Sequence, residues 1–201
     1  MRFGRHEEVF LSVYSIDYLL KCKVYDNSSE VVILAPVSGR TDMLQVHDPV
    51  VLLRHDTDLQ MIPADVAGID PVSGYVSFRI RLKEIEEERR VYERYPVSLV
   101  VSARKKFSSK RINLIVRNIS LYGMGVVSDV DIEEEEFLDI DLITDKNMFY
   151  FNSRVVWKKS LGPGFEYGLK LVNYDIATKA AFEEYLKRLN ETYLGMIPKA
   201  R

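Results

Sequence analysis

The sequence has one cysteine, no long apolar run and almost no excess charge of either sign. Cys22 cannot form an internal disulfide. The longest apolar stretches, such as Val31 to Val37, are far shorter than the roughly 20 residues that cross a bilayer. The formal net charge of −2 gives no general attraction for nucleic acid or for an anionic membrane. These absences predict no membrane insertion and no DNA partner. The N-terminal residues lack the apolar core of a signal peptide, which indicates a cytoplasmic location.

What the chain does contain is β-forming sequence. Its 201 residues, 47% of them hydrophobic, suffice for one large domain or two small ones. From Glu8 to Ile80, short apolar runs alternate with turn signals rich in Asn, Ser, Gly and Pro. The runs that we interpret as strands are VFLSVY, VVILAP, MLQV, VVLLRH and YVSFRIRL. They predict a small all-β domain over residues 1–84.

The composition changes sharply near residue 84, where Lys83 to Arg90 has almost no apolar content. This change indicates a domain junction, with residues 85–95 as an interdomain segment and residues 96–201 as a second domain. The second domain has six strand-like segments: VSLVVSAR, INLIVRNI, GMGVVS, FLDIDLI, NMFYFNSRVVWK and FEYGLKLV. Six strands in about 80 residues is the spacing of a barrel or sandwich. The sequence therefore predicts a mainly β protein with two β domains.

A helix is predicted at the end of the second domain, from about Ile176 to Tyr193, because the apolar pattern changes there to a period of 3.6 residues. One broad face of this helix collects the apolar residues Ile176, Ala180, Phe182, Tyr185, Leu186, Leu189 and Tyr193. Trp157 and this face are expected to belong to the core rather than to an interaction surface. The acidic run from Glu133 to Glu136 is expected to be a solvated hairpin edge.

Three arginines, Arg89, Arg90 and Arg94, lie within six residues of the interdomain segment. Taken alone, they are better explained by an exposed helix, because Glu86 and Glu87 could form charge pairs with them one turn away. A second feature stands at a predicted strand end. Asn118 and Ser120 would present an amide and a hydroxyl on one face before Gly123. Alone, this feature is only a turn signal.

Together the two features are more specific. Arg94 is followed after 24 residues by the pattern Asn118-x-Ser120-x-x-Gly123. This pair resembles the PilZ family, whose signatures are an RxxxR arm and a [D/N]xSxxG strand end. Further resemblances are Arg-Tyr-Pro-Val at the first strand of the domain, RVVW and YGLK on later strands, and the closing helix. The resemblance covers about residues 88 to 193. It implies a six-stranded PilZ barrel closed by a C-terminal α-helix. More weakly, the first domain resembles the small split-barrel-like domain of two-domain flagellar brake proteins of the YcgR type.

The family resemblance implies a ligand, cyclic di-GMP, and no cofactor or catalytic residue. The ligand carries two phosphodiester anions and two guanines. Arginine suits it because the guanidinium can grip phosphate oxygens or the guanine O6/N7 edge in bidentate fashion and can also stack on the base. The residues implied to bind are Arg89, Arg90, Arg94, Asn118, Ser120 and Gly123. Asn118 keeps an acceptor for the guanine N1 and N2 donors, but it lacks the charge of the alternative Asp. Gly123 is expected to serve the turn or the close approach of the ligand.

The segment that carries Arg89, Arg90 and Arg94, here called the arginine arm, lies between the predicted domains. A response to the ligand can therefore be hypothesised. The arm would be mobile when empty and would order around the ligand, reorienting one domain against the other. The output would be control of a protein partner such as a flagellar motor component, to which the protein would be recruited. The alternative is a PilZ-like adaptor that binds a protein partner without any ligand.

Other classes of function are less well supported by the sequence. Possible metal ligands lie in predicted loops, and their spacing matches no metal site: His47, Asp48, His55, Asp56 and Asp58. Cys22 has no partner histidine near it in sequence and is expected to be an ordinary half-buried thiol. A basic cluster that could attract nucleic acid is better explained as a solvated hairpin: Arg104, Lys105, Lys106, Lys110 and Arg111.

Overall fold

The computed structural model describes residues 3–37, 41–82, 92–144 and 146–197. In this part of the chain, two closed antiparallel barrels of six strands each are followed by two helices. The first barrel has the strand order β1-β2-β3-β6-β5-β4, with β4 pairing back onto β1. Its strands are β1 (Glu8–Ser12), β2 (Leu19–Asn27), β3 (Val31–Pro36), β4 (Pro49–His55), β5 (Leu59–Ile69) and β6 (Val76–Ile80).

The second barrel has the order β10-β11-β12-β9-β8-β7, with β7 pairing back onto β10. Its strands are β7 (Tyr95–Lys105), β8 (Arg111–Ser120), β9 (Gly123–Ser128), β10 (Phe137–Ile143), β11 (Met148–Leu161) and β12 (Gly164–Val172). All six strands that the sequence predicts here are present. The prediction of a mainly β fold with two barrels is confirmed.

The first barrel differs from its prediction in detail. The run Met43–Val46 is not a strand; it lies among turns, where Leu44 N–H bonds to the Thr41 carbonyl at 3.1 Å. Two strands, β2 and β5, were not predicted. In β2 the buried residues alternate with lysines, so the strand has a period of two but few consecutive apolar residues. In β5 a proline and a glycine interrupt the apolar pattern.

Strand β4 connects the two barrels because both of its faces are buried. Val50 and Leu52 belong to the core of the first barrel. Val51 and Leu53 point the other way and pack in a cluster with core residues of the second barrel, as does Ile16 from the loop after β1. All four β4 side chains are completely buried. Burying a side chain of this size stabilises a protein by about 1.5–3 kcal/mol. The hydrophobic core of the second barrel therefore extends into the interface between the two barrels.

Hydrogen bonds reinforce this interface. The hydroxyls of Ser12 and Tyr193 are 3.1 Å apart in a buried contact between the first barrel and the terminal helix. Tyr14 donates its N–H to Ser98 Oγ at 2.8 Å and accepts from Val100 N–H at 3.1 Å. The backbone of Tyr14 has a φ of 60°, in the left-handed region that disfavours a tyrosine. Its hydroxyl bonds to Asp48. These contacts fix the loop after β1 on strand β7.

Two helices close the second barrel where the sequence predicts one. Helix α1 (Ile176–Lys187) is capped by Asp175, which accepts from Thr178 N–H at 2.8 Å, and α2 (Leu189–Met196) follows after Arg188. Arg188 N–H bonds to both the Glu184 and Tyr185 carbonyls, a tightening of the last turn that interrupts the helix. The predicted apolar face is buried from Phe182 onward. Two of its members lie outside the core: Ile176 is 89% exposed, and Ala180 is also exposed.

Charged runs on the second barrel are paired across strands. Glu135 bonds to Arg154 and Glu136 to Lys105, each at 2.9 Å. The acidic run is exposed from Glu133 to Glu135, as expected from the sequence, and the neighbouring strands bring cations to it. In the basic cluster, Arg104 pairs with Asp139 and Arg111 with Asp141, both on β10. Exposed pairs of this kind add little stability. These pairs do offset the local positive charge of the basic cluster, which had raised the possibility of nucleic-acid binding.

Other sequence hypotheses concern the cysteine, metals and membranes. Cys22 is fully rather than half buried, and this burial raises the pKa of its thiol to about 12. Within the described ranges, no group of three His, Cys, Asp or Glu side chains could hold a metal ion. None of the helices described is long and apolar enough to span a membrane.

Candidate functional site

Asn118 and Ser120 lie on the outer face of the second barrel, at the end of β8. Val116 and Ile119 are both completely buried in the core, and the pairing with β9 is irregular between Val116 and Asn118. This irregularity leaves Arg117 and Asn118 outside the core, and regular alternation then keeps Ser120 outside as well. The local bulge therefore places the amide and the hydroxyl on one face.

The Asn118 side chain lies over the backbone of the neighbouring strand β9. Its amide oxygen accepts from Gly125 N–H at 3.2 Å. A Cβ at Gly125 would stand 2.8 Å from that oxygen, so only glycine leaves room for the amide. The acceptor that the sequence assigns to guanine is thus already engaged within the barrel. The amide nitrogen supplies two further donors.

A row of residues continues from Asn118 across the barrel surface. Asn118 pairs with Gly125, Gly125 with Gly168, and Gly168 with Trp157. A Cβ at Gly168 would overlap the Trp157 indole, which shows that the ring covers this glycine. We call these four residues the glycine platform. It consists of two glycines without side chains, flanked by an amide and an indole.

The structure shows that the sequence-based placement of Trp157 in the core is wrong. The side chain is 38% exposed. The pairing of β11 with β12 is irregular between Val155 and Trp157, and Val155 is completely buried. The extra residue at this bulge shifts Trp157 to the outer face. The protein's one tryptophan is therefore a surface aromatic beside the predicted motif.

The turn after β8 is held by Ser120 and Gly123. Ser120 Oγ donates to the Gly123 carbonyl at 3.2 Å. A Cβ at Gly123 would stand 2.7 Å from the Leu169 carbonyl oxygen of β12. The close approach at Gly123 is therefore that of a neighbouring strand, and neither the turn nor a ligand is needed to explain the glycine. Opposite Gly123 lies Lys170, an exposed cation on the same barrel face.

The arginine arm meets this face at its described end. Arg94 is exposed and immediately precedes β7. Two residues earlier, Tyr92 packs on Tyr122, with ring centroids 4.3 Å apart and an interplanar angle of 54°. Tyr122 lies inside the predicted motif, between Ser120 and Gly123. The end of the arm and the strand end are thus brought together. Arg89, Arg90 and the domain junction near residue 84 lie outside the described residues.

The first barrel approaches the same face through ionic contacts. Arg117, the residue before Asn118, bonds to Glu166 of β12 at 2.6 Å and to Asp65 of the first barrel at 3.8 Å. Arg81 pairs with the other oxygen of Asp65 at 3.5 Å. The Arg117 and Arg81 side chains are each 7% exposed. Removing one partner from a buried pair costs about 3–5 kcal/mol. Arg117, next to Asn118 in the chain, therefore links this face to Asp65 of the first barrel.

Sequence reasoning missed four residues of this region: Tyr92, Tyr122, Trp157 and Lys170. Trp157 and Lys170 were both part of segments that carry the family resemblance, but neither was given a role. The alternation of β12 places Lys170 outside, so that position could have been found from sequence. The other three depend on bulges or on contacts between distant segments, which the spacing of residues does not reveal.

The fold defines a protein of two six-stranded β-barrels with two helices at the end of the second barrel. The PilZ domain model matches residues 88–188, half of the sequence, and the chain belongs to the PilZ family. Members of this family are ligand-binding receptors and adaptors rather than enzymes. This match confirms the resemblance to the PilZ family that the sequence motifs indicate. None of the curated proteins matches the sequence significantly.

Solved structures with a similar fold include the following three. The inhibitor of motility MotI/DgrA of Bacillus subtilis is 18% identical, with 92% of this chain and 97% of that chain covered and a TM-score of 0.44. YcgR of Escherichia coli in complex with c-di-GMP is 11% identical, with coverages of 95% and 87% and a TM-score of 0.45. The isolated PilZ domain of YcgR with c-di-GMP is 14% identical, with coverages of 56% and 100% and a TM-score of 0.47. At such values these likenesses do not define the function of this chain.

Proposed function

We propose that this chain is a cyclic di-GMP receptor that binds its ligand on the outer face of the second barrel, between the arginine arm and the glycine platform. The observation that carries the proposal is the platform itself. Gly125 and Gly168 are buried beneath the Asn118 amide and the Trp157 indole, which can lie flat against the barrel wall because the glycines have no side chains. The indole is the exposed part of this surface, whereas Asn118 is 7% exposed. Such a surface, in a member of the PilZ family, suits a flat and polar ligand.

The chemistry of this face matches the ligand group by group. The phosphodiester anions would be held by Arg94 and by Arg89 and Arg90 of the arm, with Lys170 adding a cation on the barrel side. A guanine would stack on Trp157, since aromatic side chains offer a surface to any base. The Asn118 amide nitrogen would donate to a guanine acceptor such as O6 or N7. Ser120 and Gly123 would hold the strand end that positions these groups.

The direct test is calorimetric titration with cyclic di-GMP, with GTP and cyclic GMP as controls for selectivity. We expect a dissociation constant in the micromolar range or tighter, corresponding to about −8 kcal/mol or more favourable. The double variant Arg90→Ala/Arg94→Ala should lose this binding. The matched control is Arg111→Ala, which removes an exposed arginine already paired with Asp141 away from the platform. It should bind as the wild type does.

The absence of both heat and competition at high micromolar ligand would contradict the proposal. It would favour the ligand-free adaptor instead. One observation is compatible with that second candidate: the Asn118 oxygen and the Ser120 hydroxyl both have bonds inside the barrel. An adaptor would use the same motif for folding alone.

The proposed response is a reorientation of the first barrel relative to the second. Ligand contacts at Asn118 would act on Arg117, which is bonded to Asp65 of the first barrel and to Glu166 of the second. New charge-assisted contacts between the arm and the ligand would supply the free energy for the change. Small-angle scattering with and without saturating ligand checks this response. Superimposable profiles from ligand-bound and ligand-free protein would rule it out.

The domain division that goes with this response is 1–84, 85–95 and 96–201. Limited proteolysis checks it, because an exposed linker is cut before a barrel. We expect the first cleavage within 85–95 and expect ligand to slow it. First cuts inside either barrel would contradict the division.

The output is proposed to be control of a protein partner in the cytoplasm, with a flagellar motor component as the candidate. The sequence resemblance to flagellar brake proteins supports this choice. A fluorescent fusion should concentrate at flagellar bases when cyclic di-GMP is high, and the Arg90→Ala/Arg94→Ala variant should stay dispersed. Equal distributions of the two proteins would contradict recruitment by the ligand.

A further inference from the structure

Tyr92 of the arginine arm and Tyr122 of the barrel motif form an aromatic pair that joins the two sequence motifs directly. Their ring centroids are 4.3 Å apart, and the rings are tilted by 54°. Tilted aromatic pairs stabilise the arrangement of their rings beyond the contribution of the area that they bury. Tyr92 stands between Arg90 and Arg94 in the chain, so this contact fixes the end of the arm that carries Arg94.

Helix α1 completes the contact. Lys179 Nζ donates to Tyr122 Oη at 2.7 Å and stands 4.9 Å from the centroid of the same ring. The ammonium group thus reaches both the hydroxyl and the ring of Tyr122. The hydrogen bond from Lys179, together with one from Tyr92, lowers the pKa of the Tyr122 phenol. The three side chains come from three separate parts of the chain.

The base of this arrangement is rigid. The Tyr122 carbonyl accepts from Leu171 N–H at 2.9 Å. The hydroxyl of Tyr174 donates to the Leu121 carbonyl, and the Tyr174 ring packs edge-on against Phe151 of the core, with centroids 5.8 Å apart. The turn that carries Tyr122 is therefore anchored in the barrel core.

We propose that Tyr92, Tyr122 and Lys179 form an aromatic clasp that positions the arginine arm on the barrel before the ligand arrives. The clasp rests on the proposed function, because its purpose is to lower the cost of ordering the arm around cyclic di-GMP. A group held in its binding position loses less conformational freedom when the ligand binds. If only a fraction of molecules had the arm in place, the apparent dissociation constant would equal the intrinsic one divided by that fraction. These are positioning residues and do not need to touch the ligand.

The test compares two aromatic pairs of similar geometry. Tyr92→Ala breaks the clasp, whereas Tyr92→Phe keeps the ring contact. The control is Tyr25→Ala in the first barrel, where Tyr25 packs on Tyr75 with centroids 4.6 Å apart and an angle of 48°. Tyr25 is 50% exposed and Tyr92 is 48% exposed, so the two substitutions remove similar surface.

Two quantities are measured for each full-length variant: the affinity for cyclic di-GMP, and amide hydrogen exchange at residues 92–95 without ligand. Tyr92→Ala should weaken binding about twofold to tenfold. It should also speed exchange at these residues. Tyr92→Phe and Tyr25→Ala should match the wild type in both. This rescue by phenylalanine separates positioning by the ring from a role of the hydroxyl in contacting ligand.

The outcomes separate the clasp from the proposed function. Wild-type affinity in Tyr92→Ala, or exchange unchanged from that of the wild type, would overturn the clasp while leaving the receptor assignment intact. A wild-type protein that does not bind cyclic di-GMP would overturn the proposed function. Exchange in the ligand-free protein would then still decide whether the clasp holds the arm.

Discussion

The second barrel presents two faces of opposite character. The face toward the first barrel is apolar: Val51 and Leu53 of β4 are completely buried in the same cluster as the second core. The face that carries the Asn118 motif has glycines instead, with an amide and a half-exposed indole beside them. Apolar burial gives stability, whereas an exposed indole offers a flat surface on which a base could stack. One barrel thus separates the residues that hold the protein together from those that could recognise a ligand.

The largest expected effect lies on the apolar face. Leu53→Ala removes a buried side chain of the first barrel and leaves a cavity beside the second, which should lower the free energy of unfolding by about 2–5 kcal/mol. Urea unfolding followed by tryptophan fluorescence measures this, because Trp157 reports on the second barrel. The control Val72→Ala removes a side chain that is 94% exposed. If Leu53→Ala left the tryptophan transition in place, the barrels would not share a core.

The next effect lies on the other face and concerns affinity rather than stability. Arg94→Ala should weaken binding of cyclic di-GMP by about 2 kcal/mol, or roughly 30-fold, because charge-assisted bonds are lost. Arg94→Lys should recover only part of this, since lysine keeps the charge but not the planar fork. Titration calorimetry gives the affinities. An unchanged affinity in Arg94→Ala would remove Arg94 from the site.

Trp157 should give an effect of similar or smaller size. Loss of a stacking surface in Trp157→Ala should cost about 1–3 kcal/mol of binding free energy, with Trp157→Phe closer to the wild type. In the wild type, the fluorescence of this single tryptophan should change on titration with ligand. A ligand that binds without altering the fluorescence would place the base away from the platform.

The smallest expected effect returns to the face between the barrels. Removing the buried bond between Ser12 and Tyr193, by Ser12→Ala and Tyr193→Phe in a double-mutant cycle, should reveal a coupling of about 0.5–1.5 kcal/mol in stability. Affinity for the ligand should stay within about twofold, because neither residue belongs to the glycine platform or to the arginine arm. A large loss of affinity would show that this bond also supports the ligand-binding face.

The sequence predicts the second barrel better than the first for a physical reason. The second barrel's strands carry continuous or alternating apolar residues, so periodicity identifies all six. In the first barrel, lysines in β2 and Pro63 in β5 obscure the same alternation. The strand end at Asn118 could also be predicted, because local turn residues mark it.

The rest of the site depends on features without a sequence signal. A single extra residue at a bulge moves Trp157 from the core side to the outer side. The contact between Tyr92 and Tyr122 joins residues 30 positions apart, and nothing in the spacing requires it. Such contacts arise only once the barrel has closed.

Barrel closure also limits how a partner protein can bind. In the part of the chain that the structure describes, both sheets close on themselves, with β4 on β1 and β7 on β10. An open sheet edge would offer unpaired amides and carbonyls to an extra strand from another protein. A closed barrel has no such edge, so strand addition would first require a barrel to open. A partner of this protein is therefore expected to contact side chains on the barrel walls and loops. Substitutions there can change the specificity of binding without altering the backbone hydrogen bonds of the barrels.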